Sequence, residues 1–194
     1  MTSAVILWDR PLFLEKMFKE YGIPATVSLP ASLHSAHLPP FKLLVVPTGF
    51  TYPEYAAVSS ALADVKFQQK IFDFVEKGGV FLMFSPLKEV SSCNSCRLPP
   101  ATSLERFGIN AEYIQTDVMI RRPSLLTGAV DSVYCDGYFQ NFGPEFTVIE
   151  KDDSGRPVHI SANRGSGRII LSSVHEFLSK KYVESLVKGT KVKF

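Results

Sequence analysis

The sequence predicts a three-layer α/β fold, in which a doubly wound, mainly parallel sheet lies between helices and carries a small antiparallel β extension. Two observations predict it: short apolar runs recur along the chain, and helical patterns that end in glycine follow two of them. Strands that alternate with helices form parallel sheets through right-handed crossovers. Because 194 residues suit one domain, we expect a single domain over residues 1–194.

The first strand–helix–strand unit lies at the start of the chain. Residues 4–8 form a continuous apolar run, which is typical of a strand buried on both faces. The helical pattern that follows places its apolar residues on one face and ends at Gly22. Residues 23–29 indicate a second, weaker strand, which we expect near an edge of the sheet.

The second unit follows a loop over residues 30–40. Residues 42–47 predict a buried strand. A helix is predicted over residues 64–77, because its apolar residues share one face and a pair of glycines ends the pattern. Residues 80–84 then predict a fourth buried strand, and Ser85 comes directly after it.

The pattern changes to shorter strand-like pieces in the second half of the chain, which predicts an antiparallel sub-region over about residues 109–161. Residues 93–100 are expected to form a loop and residues 103–107 a short helix. A last buried strand over residues 169–173 and a helix over about 177–188 end the domain. The predicted antiparallel pieces are residues 111–115, 118–121, 146–150 and 158–161, with a hairpin turn at 152–155.

Composition excludes several classes of function. A net charge of +2, with basic residues in pairs instead of patches, argues against a nucleic-acid partner. The apolar runs are far shorter than the ~20 residues that span a bilayer, and early charges at Asp9 and Arg10 argue against a signal peptide. Three cysteines imply no disulfide framework. We therefore expect a cytoplasmic protein with no membrane span.

Two segments carry an order of residues that resembles a known family. The first is the helix that ends at Gly78-Gly79, followed by the strand 80–84 and Ser85. The second is residues 165–176, which include His175 and Glu176. Both are similar to the class I glutamine amidotransferase-like domains, which have a flavodoxin-like fold. In that family a cysteine nucleophile stands where Ser85 stands, and a histidine and a glutamate complete the triad, so the resemblance implies a catalytic set of Ser85, His175 and Glu176.

The departures from the family pattern predict a divergent, non-catalytic member. Ser85 replaces the cysteine, and Pro86 follows it. The backbone N–H of the residue after the nucleophile forms part of the oxyanion hole, and proline has no N–H. No proline separates His175 from Glu176, as it does in the family. Ser85 has a structural interpretation as well, since a serine before proline commonly caps a helix.

Small and polar residues follow the predicted parallel strands and form the candidate ligand site. Open α/β sheets bind ligands at the carboxyl ends of their strands. The predicted ligand-binding residues are Asp9, Thr48, Gly49 and Ser85. We expect them to bind a small molecule or a protein partner, whose identity the sequence leaves open.

Cys93 and Cys96 form a C-x-x-C pair, the spacing with which two thiolates hold one zinc ion. Cys135 and one of the histidines could complete such a site. A redox pair and two unpartnered loop cysteines are the alternatives. Apart from this zinc hypothesis, no cofactor is predicted.

Two further motifs favour structural interpretations. His34 and His37 have metal-binding spacing, but no cysteine or carboxylate stands beside them, so a solvated loop is favoured. Residues 165–168, Gly-Ser-Gly-Arg, precede a strand instead of following one, so they lack the helix N-terminus that binds phosphate. A tight turn is predicted there.

Three functions remain open from the sequence. The first is a non-catalytic binding domain. The second is a hydrolase or amidotransferase-like enzyme that uses Ser85 and His175, or a thiol reaction at Cys93 or Cys96. The third is a structural or assembly module that acts through self-association, since 15 Phe and seven Tyr leave room for an exposed apolar patch.

Overall fold

A mainly parallel sheet of seven strands forms the centre of the computed structural model, which describes residues 2–8, 13–34, 37–47, 56–84, 96–97, 111–128, 131–174 and 176–194. Its strands are β1 (Ala4–Leu7), β2 (Ala25–Ser28), β3 (Leu43–Val46), β4 (Val80–Phe84), β8 (Phe146–Lys151), β9 (Pro157–Arg164) and β10 (Gly167–Ser172). A second, antiparallel sheet contains β5 (Cys96–Arg97), β6 (Glu112–Ile120) and β7 (Val133–Gln140). The helices are α1 (Phe13–Tyr21), α2 (Ala56–Ala63), α3 (Val65–Glu76) and α4 (Lys180–Leu186), with a 3-10 helix at Pro30–His34.

The strand order β2-β1-β3-β4-β10-β9-β8 confirms the predicted doubly wound sheet. The five strands from β2 to β10 are parallel, and β9 and β8 add to β10 in antiparallel orientation. The chain starts in β1, passes to β2 on one side and then crosses to β3 on the other, so the winding direction reverses at β1. Strands β1, β3 and β4 are buried at every position, as their continuous apolar runs predict.

Local signals fix the boundaries of α3. The Asp64 carboxylate accepts a hydrogen bond of 2.8 Å from the Phe67 backbone N–H and caps the first turn. At the other end, a Cβ on Gly79 would come closer than 3.0 Å to the ring of Phe74, so the chain needs glycine where it enters β4. The predicted helix 64–77 therefore matches Val65–Glu76 with its two capping residues.

The Gly-Ser-Gly-Arg segment contains the predicted tight turn. Its first two residues, Gly165 and Ser166, connect β9 to β10, and Gly167 and Arg168 begin β10. Gly165 has a φ of +55°, the left-handed value that a type II′ hairpin turn requires at its first central residue. A Cβ on Gly167 would come closer than 3.0 Å to the carbonyl oxygens of Val75 and Gly79. The turn therefore packs tightly against the end of α3 and has no space for an anion there.

The C-terminal residues close one side of the core. The Phe194 ring lies 5.8 Å from that of Phe74 and 5.7 Å from that of Phe67, measured between centroids. Val192 pairs with Phe41 in an isolated antiparallel bridge beside this aromatic cluster. Such contacts combine apolar burial with favourable tilted ring geometry.

The small sheet docks on the main sheet at the carboxyl end of β10. Cys135 of β7 forms an antiparallel bridge with Val174, just beyond β10. The Asp136 N–H donates to the Ser173 carbonyl at 2.9 Å, and the buried Ser173 hydroxyl donates to the Gly137 carbonyl at 2.7 Å. Strand β7 therefore covers the strand-end edge next to β10.

The hairpin between β8 and β9 is organised by a buried carboxylate. Asp152 is 3% exposed and accepts backbone hydrogen bonds from Ser154 and Arg156, at 2.9 and 2.8 Å. The Arg156 guanidinium binds the same carboxylate at 2.6 Å and stacks over the ring of Tyr138. This turn confirms the hairpin predicted at residues 152–155.

Several elements differ from the sequence-based expectation. The pieces 111–115 and 118–121 are one strand, β6, interrupted by a β-bulge between Gln115 and Val118. Cys96–Arg97 is a short strand instead of loop, and Pro30–His34 is a 3-10 helix instead of loop. The final helix begins at Lys180 because the Ser179 side chain caps it. Neither α2 nor β7 is among the predicted elements, and the predicted short helix at residues 103–107 lies outside the described residues.

None of the helices in the described ranges is long and apolar enough to cross a membrane.

Candidate functional site

A cleft of about 580 Å³ opens at the carboxyl ends of β1 and β2. Part of the lining is the end of β1, three consecutive residues of the edge strand β2 and Leu29, which follows that strand. The rest belongs to the segment that leaves β2 and leads to β3. The lining residues are Trp8, Thr26, Val27, Ser28, Leu29, Ser32, His37, Leu38 and Pro39.

The lining of the cleft is apolar with a few hydroxyl groups. Trp8 is buried and follows directly after β1, while Thr26, Ser32 and the half-exposed Leu29 stand on the more open side. No Asp, Glu, Lys or Arg is among these lining residues. The volume falls within the range of clefts that hold small molecules, ~300–1,000 Å³, and the neutral lining suits an uncharged ligand.

Most residues of the sequence-predicted site lie outside the described residues. These are Asp9, Thr48, Gly49, Ser85, Cys93 and His175. The strands that lead to them are described, and they are neighbours: β4 pairs in parallel with β3 and with β10, and Phe84 stands opposite Ser172. Chain positions 85 and 175 therefore follow the carboxyl ends of two adjacent parallel strands.

Glu176, the predicted orienting residue of the triad, is exposed and bonded to β7. Its carboxylate accepts a hydrogen bond of 3.2 Å from the Tyr134 backbone N–H. On the other side of position 175, Val174 bridges Cys135 of the same strand. Both chain neighbours of His175 are thus held by β7.

The cysteines do not form a described metal centre. Burial raises the pKa of the Cys135 thiol to about 12, against an opposing hydrogen bond with Ser173, so this thiol stays protonated at neutral pH. The backbone of Cys96 pairs with that of Tyr113 in the small sheet. Within the described ranges, no group of three or more His, Cys, Asp or Glu side chains is placed to hold a metal ion. The 3-10 helix ends at His34, and the exposed His37 lines the cleft.

A buried histidine–tyrosine pair joins strand β9 to helix α4 in the core. His159 is 0% exposed, and its Nε2 is hydrogen-bonded to the Tyr182 hydroxyl at 2.7 Å. None of the described residues is placed to hydrogen-bond its Nδ1. Burial lowers the pKa of His159 to about 3, and the charge of Arg168 acts in the same direction. His159 is therefore a neutral core residue in this structure, and the sequence signal for that position is its place between Val158 and Ile160 in a strand.

Comparison with known proteins adds the fold and no more. No family model matches the chain, and no curated protein matches it in sequence. Among solved structures, a β-galactosidase from Bacillus circulans sp. alkalophilus matches 96% of this chain with a TM-score of 0.56 and 13% identity. The chain spans only 30% of the length of that enzyme.

Two structures match over nearly their whole length. One is described as a GMP synthase component from Thermoplasma acidophilum, with 9% identity, a TM-score of 0.52 and coverage of 96% of this chain and 92% of that one. The other is a cytoplasmic protein from Salmonella typhimurium, with 10% identity, a TM-score of 0.53 and coverage of 96% and 98%. At these identities the likeness shows the fold alone, which is the three-layer α/β/α arrangement described above.

Proposed function

We propose that this chain is a non-catalytic domain of amidotransferase-like fold that binds a small ligand or a protein partner at the carboxyl ends of its parallel strands. The observation that carries the proposal is the neutral cleft at the ends of β1 and β2, bordered by Trp8. This is the edge of the sheet where open α/β folds bind their ligands. The lining offers apolar surface and hydroxyl groups, which bind and orient a molecule.

Two features argue for binding over chemistry. Among the described residues that line the cleft, His37 is the one imidazole, and no cysteine or carboxylate stands with it as a nucleophile or orienting group. At the family's nucleophile position, Pro86 follows Ser85 and cannot supply an oxyanion N–H. The cleft therefore lacks an orienting carboxylate among its described lining residues, and the Ser85 position lacks one of the family's oxyanion donors.

Tryptophan fluorescence can test the proposal, because Trp8 is the single tryptophan of the chain. Its emission should report occupancy of the cleft when the full chain is titrated with a panel of uncharged small molecules. Ser32→Phe places a ring in the mouth of the cleft and should weaken binding at least about tenfold, which corresponds to ~1.4 kcal/mol. Ser154→Phe makes the same change at the far edge of the sheet, on an exposed turn, and should leave binding unchanged.

Either of two results would contradict the proposal. The first is that neither the small molecules nor any peptide shifts the Trp8 emission or the melting temperature. The second is that Ser32→Phe and Ser154→Phe affect binding equally, since the bound site would then lie elsewhere.

A hydrolase or amidotransferase-like enzyme is the second candidate, and the parallel register of β4 and β10 favours it. This register brings the carboxyl ends of β4 and β10, the strands that precede positions 85 and 175 in the chain, to the same edge of the sheet. Hydrolysis of p-nitrophenyl acetate by the wild-type chain and by Ser85→Ala tests it. A Ser85-dependent rate would support the enzyme, whereas equal rates in the two proteins would exclude a serine nucleophile at this position.

A further inference from the structure

The outer edge of β2 borders the cleft, and no strand in the described part of the chain pairs with it. The Ser3 and Trp8 N–H groups donate to the carbonyls of Pro24 and Ser28, at 2.7 and 3.0 Å. Backbone groups alternate in direction along a strand, so residues 24, 26 and 28 face β1. The N–H and C=O of Val27 consequently point away from β1, and β2 is the last strand of the described sheet on that side.

The cleft follows this edge along the strand. Thr26, Val27 and Ser28, three successive residues of β2, line it, and Leu29 follows them. Successive side chains of a strand point to opposite faces of the sheet, so a cleft that touches all three strand residues lies along the strand edge. A ligand in this position meets the Val27 N–H and C=O as well as side chains from both faces.

We infer that the cleft binds an uncharged, extended peptide segment, which pairs with β2 as an added strand. The inference rests on the proposed binding function and names its ligand class. An extended peptide supplies the alternating N–H and C=O groups that the open edge lacks. None of the described lining residues is Asp, Glu, Lys or Arg, so a charged peptide side chain would lose hydration beside them without gaining an ionic partner.

A second copy of this chain fits the same edge less well. Ser32, His37, Leu38 and Pro39, from the segment that follows β2, also line the cleft. Two β2 edges that paired directly would bring both copies of this segment to the shared edge. A single inserted strand brings no second copy of it.

The opposite edge strand, β8, shows how this sheet closes an edge. Its pairing with β9 shifts register on both sides of Glu150, and Arg122 binds the Glu150 carboxylate at 2.6 Å. Bulges and charges of this kind prevent added strands. Strand β2 has neither: its register with β1 is regular, and its sequence Ala-Thr-Val-Ser carries no charge.

The test uses linear heptapeptides selected on the full chain from a phage-displayed library, then labelled and measured by fluorescence anisotropy. Each amide of the best peptide is N-methylated in turn. If the peptide forms a strand on β2, methylation of every second amide should weaken binding at least tenfold, and methylation of the intervening amides should change it less than twofold. Wild-type protein is used throughout, so folding does not affect the result.

A protein variant gives an independent readout. Val27→Pro removes the outward N–H, and edge strands accept proline where the N–H faces away from the sheet. It should weaken the selected peptide at least tenfold, whereas Val27→Ile keeps the N–H and should stay within twofold. Trp8 emission should change on peptide binding in the wild type.

The outcomes separate this inference from the proposed function. Peptide binding with no alternation in the methylation series overturns the inference. So does a panel in which small molecules shift the Trp8 emission and no peptide is selected, although the proposed function then stands. If neither peptides nor small molecules bind at the cleft, both proposals fail.

Discussion

Protonation of His159 should destabilise the fold at mildly acidic pH. The imidazole is fully buried, with one nitrogen bound to the Tyr182 hydroxyl and none of the described residues placed to hydrogen-bond the other. A proton on this ring would place a charge in the core, and the nearby charge of Arg168 disfavours it further. The folded chain therefore keeps His159 neutral while the unfolded chain protonates it near pH 6.5.

The sign and size of the effect follow from this difference. The pKa of His159 is lowered to about 3 in the folded state, so between pH 6.5 and 3 the unfolded state binds one proton more. The contribution is fully present above pH 6.5 and is lost as the pH falls. One proton changes the free energy of unfolding by about 1.4 kcal/mol per pH unit, so about 3 kcal/mol is lost by pH 4.5. That is a large share of the ~5–15 kcal/mol that stabilises a typical domain.

Urea denaturation between pH 7.5 and 4.5 measures this slope. His159→Gln is the informative variant, because its amide can still bond to Tyr182 but does not titrate. It should be less stable than the wild type at pH 7.5 and should lose less stability on acidification. His37→Gln, at an exposed position, should follow the wild type. If the wild type and His159→Gln lose stability in parallel, the buried imidazole is not the cause and this reasoning is wrong.

Three further changes test the packing by urea denaturation or thermal melting. Gly167→Ala should cost about 1–3 kcal/mol, because its Cβ would meet two carbonyl oxygens, whereas the exposed Ser166→Ala should be neutral. Asp152→Asn should cost about 2 kcal/mol through loss of the Arg156 pair, and the more exposed Asp153→Asn less than about 1 kcal/mol. Phe194→Ala should lower stability by about 1–2 kcal/mol, since its partly buried ring contacts three other phenylalanines. Equal effects within either matched pair, or an unchanged melting temperature for Phe194→Ala, would contradict these assignments.

The sequence predicts the parallel half of the fold because its signals are local. The strand Val80–Phe84 is a continuous apolar run, and α3 lies between a capping aspartate and a glycine pair. The α2 segment lacks such signals, since Ala-Ala-Val-Ser-Ser-Ala-Leu-Ala has small residues all round and no marked apolar face. Strand β7 alternates in burial, but Gly137 and Asp136 interrupt its β-forming pattern. Its place is set by tertiary contacts with Ser173 and Val174 that no local pattern contains.

The candidate site could be predicted only as an edge of the sheet. The rule for open α/β sheets directs attention to the carboxyl ends of the strands, and the cleft lies there. Its lining, however, joins the end of β2 to residues 32–39, which no periodicity connects. The spacing of His37 from His34 is one that metal ligands use, whereas in the structure His37 lines the cleft. The weaker apolar pattern of β2 predicts its edge position, and that position gives the cleft its open backbone.

The placement of the small sheet bears directly on where a ligand binds. Strand β7 bonds to Ser173, Val174 and Glu176, so it covers the carboxyl end of β10 and holds both chain neighbours of His175. The carboxyl ends of β1 and β2, at the other side of the same edge, border the cleft. In the described part of the chain, protein thus covers one part of the strand-end edge, and a cleft borders another part. A domain that uses this edge for recognition would bind beside Trp8, and a substrate for His175 would have to approach a position whose neighbours are both bonded to β7.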